Sequence, residues 1–177
     1  MGFILCLLYD LCMKELELKL TEMETENVRY RQAARAVITK DGKYLFVRSR
    51  FGDTKFPGGG VKEDESVLMA LKREVKEETG YRVNMDSVKE ALLIHERRND
   101  NEAEVLEMDS FYFFCEIEGE QGDTKLDDYE KDYGYEAVWL DPHEMIRNNQ
   151  TAENIPWTPR EILAMEELMN EADSETE

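Results

Sequence analysis

Residues 58–81 read GGGVKEDESVLMALKREVKEETGY: three glycines, an acidic turn, then a run with helical spacing. Ser66 suits an N-cap and Gly80 the left-handed residue after a last turn, which predicts a helix over about Ser66 to Thr79. With Val67 at zero and roughly 100° per residue, Val67, Leu68, Ala70, Leu71 and Val75 share one arc, the stripe expected to be buried. Glu74 and Glu78 fall inside that arc, with Glu77 at its edge beside Arg73. Met69, Lys72 and Lys76 face the other way. Carboxylates crowded at a partly buried seam repel one another and lose hydration. Protonation, internal salt bridges or a bound divalent cation can each offset that. Arg73 can pair with Glu77 one turn on, but no cation of the helix lies between Glu74 and Glu78. Oxygen ligands without histidine or cysteine suit Mg2+ or Mn2+ rather than Zn2+. The rival reading is a surface i, i+4 network on a helix of different register. Gly58, Gly59 and Gly60 allow close backbone approach, and a tight loop with exposed N–H groups is expected there. A P-loop is excluded, because GxxxxGK followed by Ser or Thr is absent.

The chain has 177 residues, 41% hydrophobic and 36% charged, which suits one globular domain with a real core. Its net charge of -19 argues against general binding to nucleic acid, which needs a basic footprint. Within it, Arg29, Arg31, Arg35, Lys40, Lys43, Arg48, Arg50 and Lys55 are opposed only by Asp41 and Asp53. That island suits a small anion, although each cation alone serves equally well as a solubilising strand edge. Cys6, Cys12 and Cys115 form no CxxC pair, which fits a reducing cytoplasm, with Cys115 in the core. The apolar start is too short to span a bilayer and lacks the features of a secretory signal, so no membrane association is expected. Residues 1–28 read as an N-terminal extension, dispensable before Met13, an alternative start. An amphipathic anchor or oligomer contact is the other reading.

Ala33 to Thr39 and Tyr44 to Ser49 flank an Asp-Gly turn and predict a β-hairpin. Lys55-Phe56-Pro57 ends a short extended piece. Residues 87–97 and 105–117 alternate as two strands, 116–136 reads as an acidic loop, and 137–140 as a short strand. Asp141-Pro142-His143-Glu144 and Thr158-Pro159-Arg160-Glu161 each start a helix, the second running to about Leu168. Residues 169–177 read as an acidic disordered tail. Interleaved strands and helices indicate an α/β layered domain over 29–168.

Gly59, Glu65, Arg73, Glu74, Val75, Glu77, Glu78 and Gly80 stand at the spacings of the Nudix box, GX5EX7REUXEEXGU with U aliphatic, and the run resembles it at every fixed position. The one departure is Tyr81 at an aliphatic position, which bears on packing at the helix exit. The flanks resemble the Nudix α/β/α sandwich, with a mixed β-sheet and a catalytic loop-helix-loop. The resemblance implies Mg2+-dependent hydrolysis, with Mn2+ as the other candidate ion, of a pyrophosphate bond in a nucleoside diphosphate linked to another moiety. It implies that Glu74, Glu77 and Glu78 carry divalent ions, with Glu77 and Glu78 as direct ligands. Gly59 would bring its backbone to metal or phosphate, Glu65 would be an outer ligand or loop support, and Arg73 would hold the glutamates in place.

The general base varies in such families. Here a box glutamate competes with Glu130 of the acidic loop, and Glu136 is the second choice in that loop. Arg35 and Arg48 are the expected substrate-phosphate contacts. Phe51, Phe56, Tyr112 and Trp139 are candidates to stack a base, although strand positions suit them to the core. His95 and His143 read as structural or surface groups, and Trp157 as a cap on the core or the pocket. The implied partner is a small-molecule nucleotide, and a homodimer is expected because similar proteins commonly form one. A non-catalytic nucleotide-sensing Nudix-like domain is the alternative, disfavoured by the complete set of glutamates. A structural protein with an acidic face is the third.

Overall fold

The computed structural model describes residues 13–174. Cys6, Cys12, the stretch before Met13 and the last three residues of the tail lie outside the described residues. In chain order the elements are β1 (Lys14–Lys19), β2 (Val28–Val37), β3 (Thr39–Lys40), β4 (Lys43–Arg48), β5 (Thr54–Lys55), β6 (Gly58–Gly60), α1 (Val67–Thr79), β7 (Arg82–Asn99), β8 (Val105–Glu118), α2 (Asp128–Tyr133), β9 (Glu136–Leu140), α3 (Pro142–Thr151) and α4 (Thr158–Ser174). A mixed five-stranded sheet runs β1-β7-β8-β2-β6, and β4 carries a second sheet with β3, β5 and β9. The architecture is the α/β sandwich expected from the sequence.

Strand β2 is the partition of the molecule. Successive side chains of a strand point to opposite faces. Accordingly Ala34 and Ala36 pack with Ala70, Leu71 and Val75 of α1, whereas Val37 packs with Ala164, Met165 and Leu168 of α4. Ala33 to Val37 are buried on both faces, which explains why this run crosses into the large sheet rather than forming the predicted hairpin arm. The Asp-Gly turn is present, with Asp41 and Gly42 at φ of 51° and 74°, but the hairpin it closes is β3–β4. Phe56 and Tyr112, candidates for base stacking, are fully buried and meet edge to face, with ring centroids 5.4 Å apart. Trp139 packs on Tyr81 at 6.2 Å, so the aromatic departure from the box fills the core at the helix exit.

Three further elements differ from expectation. Lys14–Lys19, read as extension, is an edge strand parallel to β7, with Leu16 and Leu18 on the core. The acidic loop contains α2, whose Asp127 and Glu130 form a capping box and whose C-cap is Gly134. Helix α4 continues to Ser174, because Leu168 and Met169 still have core to cover.

His95 of β7 ties the edge strand down. Its Nδ1 lies 2.7 Å from Asp109 Oδ1 of β8, and its Nε2 lies 3.6 Å from Glu15 of β1. Asp109 first, with Glu17 and Glu15 adding, raises its pKa above the ordinary value. The native state therefore binds this proton more tightly than the unfolded chain. Its stabilising contribution is fully present below the ordinary histidine pKa of about 6.5 and is lost as pH rises through the raised value. The urea midpoint is expected to fall across that window in the wild type and to flatten in His95→Gln. Partial exposure keeps the effect small.

Candidate active site

Helix α1 presents the acidic residues. Ser66 accepts the Met69 N–H at 3.2 Å and Gly80 closes the helix in the left-handed conformation. Its buried face is Ala70, Leu71, Val75, Glu78 and Thr79. Leu68, expected in the stripe, is exposed, because the stripe is centred on Leu71 and Val75.

The glycines do not form the expected loop. They are strand β6, antiparallel to β2, with Gly60, Gly59 and Gly58 opposite Ala33, Ala34 and Arg35. Glycine in a strand marks close approach by another group, and here two groups approach. A Cβ on Gly59 would stand 2.6 Å from Glu74 Cδ, and one on Gly60 would stand 2.5 Å from Arg31 Nη2. Gly59→Ala is therefore expected to push the Glu74 carboxylate aside and cut hydrolysis by about 10²-fold, the scale of an ångström misplacement. The melting temperature should hardly move, since the displaced atoms end a flexible side chain. Steady-state kinetics beside a thermal melt check both halves.

Arg73 organises the helix acids. Its Nε donates to Glu65 Oε2 at 3.0 Å and its Nη2 to Glu65 Oε1, closing a two-point fork. Nη1 donates to Glu74 Oε1 at 2.6 Å and to Glu77 Oε2 at 3.2 Å, and Nη2 reaches Gly60 O at 3.1 Å. Such charge-assisted forks fix geometry as well as charge. Chiefly through Arg73, Glu65 is held down to about 2.

Glu78 is the deepest acid, only 1% exposed. Lys55 Nζ donates to its Oε1 at 2.6 Å and the Gly58 N–H to its Oε2 at 2.8 Å. Burial pushes its pKa up to about 7, although Lys55 and the Gly58 N–H pull the other way. Carboxylate oxygens of Glu74, Glu78 and Glu130 lie within 4.8 Å of one another. Glu130 arrives from α2, with Oε2 accepting from the Asp127 N–H at 2.7 Å and Oε1 from the Tyr129 hydroxyl at 3.2 Å. This all-oxygen set, one member deeply desolvated, fits a hard divalent cation. Glu77, expected as a direct ligand, lies outside this trio, with its carboxylate turned to Arg73.

The expected cations separate. Arg35 is buried beside the cluster, its Nη1 donating to Gly58 O at 2.8 Å. Arg48, expected at the substrate, instead grips Glu136 at 2.6 Å across β4 and β9. That pair takes Glu136, the second candidate base, away from the cluster as well. The physical reason is register: Arg48 and Glu136 are directly opposed on neighbouring strands.

Between β6 and the start of α4 opens a pocket of about 220 Å³ walled by Arg31, Arg35, Lys55, Arg98 and Arg160. Tyr129, Tyr135 and Trp157 supply its aromatic wall. Trp157 is thus settled as a pocket residue, its indole N–H donating to buried Asp53 at 2.9 Å. Arg31 and Lys55 belong to the basic island that the sequence offers to a small anion, but nothing there singled them out, and the two tyrosines were not named. Lys55 carried one further signal, its place just before Phe-Pro-Gly at the head of the glycine strand.

Comparison with known proteins places these features in a family. The model of the NUDIX domain matches residues 29–162. A NUDIX hydrolase from Nitrosomonas europaea is 25% identical, with a TM-score of 0.61, over 80% of this chain and 90% of that one. A MutT NUDIX hydrolase from Burkholderia pseudomallei is 20% identical, with a TM-score of 0.56, over 78% of this chain and 98% of that one. No curated protein sequence matches this one.

Proposed function

Because the chain belongs to the Nudix family of pyrophosphate-bond hydrolases, we propose that it cleaves a nucleoside diphosphate linked to a further moiety, using Mg2+ with Mn2+ as a substitute. The observation that carries this reading is the convergence of Glu74, Glu78 and Glu130 within 4.8 Å. Glu74 and Glu78 would hold the cation, and Gly59 through its backbone and Glu77 through its carboxylate would be further ligands. A bound divalent ion supplies neutralisation of the bridging phosphates and a lowered pKa for water. Glu130 takes the proton as water adds to phosphorus and the bond to the leaving phosphate breaks; its two hydrogen bonds hold it ready. Arg73 positions Glu74 through the fork on Glu65. Lys55 and Arg35 face the phosphates from the pocket side, and Trp157 offers a face on which a base can stack.

Incubating the full chain with a panel of nucleotide derivatives, with and without Mg2+, tests this reading. Metal-dependent release of phosphate or a nucleotide product is expected. Binding of nucleotides without release from any of them would favour the sensing alternative instead.

A cytoplasmic location and a homodimer belong to the same proposal. The first rests on the cysteine usage and the buried Cys115 thiol, pushed up to about 12 by burial. The second rests on the habit of similar proteins. No helix among the described residues is long and apolar enough to cross a membrane. A chain beginning at Met13 is expected to keep its activity and its sedimentation, which tests whether residues 1–12 are dispensable.

A further inference from the structure

We infer that Arg31 and Arg35 form a metal-independent phosphate subsite on the face of the glycine strand opposite Glu74, and that the substrate carries a doubly charged phosphate beyond those the metal holds.

Register places the two arginines together. Arg31, Ala33 and Arg35 alternate onto the α4 side of β2, while Ala34 faces α1. Gly60 and Gly58 lie opposite Ala33 and Arg35, and Gly59 lies opposite Ala34. The bare strand is therefore a thin wall, with Glu74 seated against Gly59 on one side and the Arg31 guanidinium against Gly60 on the other. Gly60 is not a fixed position of the family pattern, so the box does not require it. A Cβ there would meet Nη2 and displace the Arg31 guanidinium from its seat.

The pocket cations differ in how they are answered. Lys55 has Glu78. Arg160 has Glu96 and Glu161, each at 2.7 Å. Arg98 lies 3.0 Å from Glu96, in a geometry that makes no hydrogen bond. Arg31 and Arg35 have no carboxylate at ion-pairing distance among the described residues. Arg35 is 7% exposed, and its Nε, buried, has no hydrogen-bond partner. A buried charged donor without a partner is costly, and two guanidiniums side by side repel each other. Arg31 is exposed at the pocket wall, yet partial desolvation first, then Arg29 and Arg35, lowers its pKa. A phosphate dianion cancels both charges and fits two planar forks. A neutral hexose does neither. The terminal phosphate of a nucleoside triphosphate and a phosphate monoester on the second moiety share this chemistry.

Substrate choice here depends on the chain being a nucleotide hydrolase; anion binding does not, and the experiment separates the two. Calorimetry of the full chain in a chelator at low salt is expected to show inorganic pyrophosphate binding, weakened about ten-fold or more in Arg31→Gln. That variant should melt with the wild type, since Arg31 holds no ion pair. Equal binding by both proteins, or none by either, would overturn the subsite whatever the activity. A second arm compares kcat/KM, with Mg2+, for a nucleoside triphosphate, a diphosphate ester bearing a phosphate monoester, and a nucleoside diphosphate hexose. One of the first two should be preferred over the hexose, which one naming the source, and Arg31→Gln should erase the preference. A wild type that prefers the hexose would overturn the substrate class. Binding in the first arm with no hydrolysis in the second would sustain the subsite and sink the hydrolase reading.

Discussion

Glu78→Gln is expected to lower turnover by about a hundredfold or more. Loss of a group that merely orients a metal ligand costs about 10–100-fold, and Glu78 is proposed as a ligand itself. The substitution keeps size and shape and leaves an oxygen that can still accept from Lys55 Nζ, now 2.6 Å away. It removes the charge that a cation needs. Divalent-ion binding should therefore weaken in step with turnover, and the fold should survive. The drop should appear in kcat/KM at an Mg2+ concentration that just saturates the wild type, and be partly relieved by much higher metal concentration. A variant with wild-type turnover would remove Glu78 from the site.

Arg160→Met is expected to destabilise the fold by about 3–5 kcal/mol, the cost of removing one partner from a buried ionic group. Arg160 is only 2% exposed and is held by Glu96 from β7 and by Glu161 within α4. Glu161 is fully buried and also accepts the Phe56 N–H at 2.9 Å. Removal of the guanidinium leaves Glu161, which fixes the approach to the glycine strand, in the interior without a cation, and leaves Glu96 with Arg98 alone. For a chain of this size that corresponds to a melting temperature lower by about 6–20 °C. Urea denaturation at neutral pH gives the free energy directly. A loss under about 1 kcal/mol would mean that water reaches these acids.

The site was legible where chemistry depends on local spacing. Ser66, the apolar positions and Gly80 fix α1, and helical geometry alone sets Glu74 and Glu78 on its inner side. What one helix could not reveal is where its acids are answered. Lys55 and Arg31 lie on strands whose register only the assembled sheet defines. The partner of Arg48 was hidden for the same reason, since its opposition to Glu136 depends on β4 and β9 pairing antiparallel. Helix α2 was readable in principle from Asp127 and Glu130, an acid pair at capping-box spacing, but nine carboxylates in a short stretch masked it as a solvated loop. Strand β1 was hidden by the apolar run before it, although Leu16 and Leu18 alternate with charged neighbours as a half-buried strand should. The three glycines read as a loop because glycine weakens strands; side chains packed close on both faces of β6 are what their sequence leaves unsaid.

The proposed chemistry requires the acids of α1, beside Glu130 of α2, to gather a divalent cation. Calorimetric titration of the metal-free full chain with Mn2+, with and without a nucleotide, measures this most directly. Saturable binding in the wild type, strongly reduced in Glu78→Gln, is the expected result. Absence of Mn2+ binding under both conditions, or undiminished binding in the variant, would contradict it.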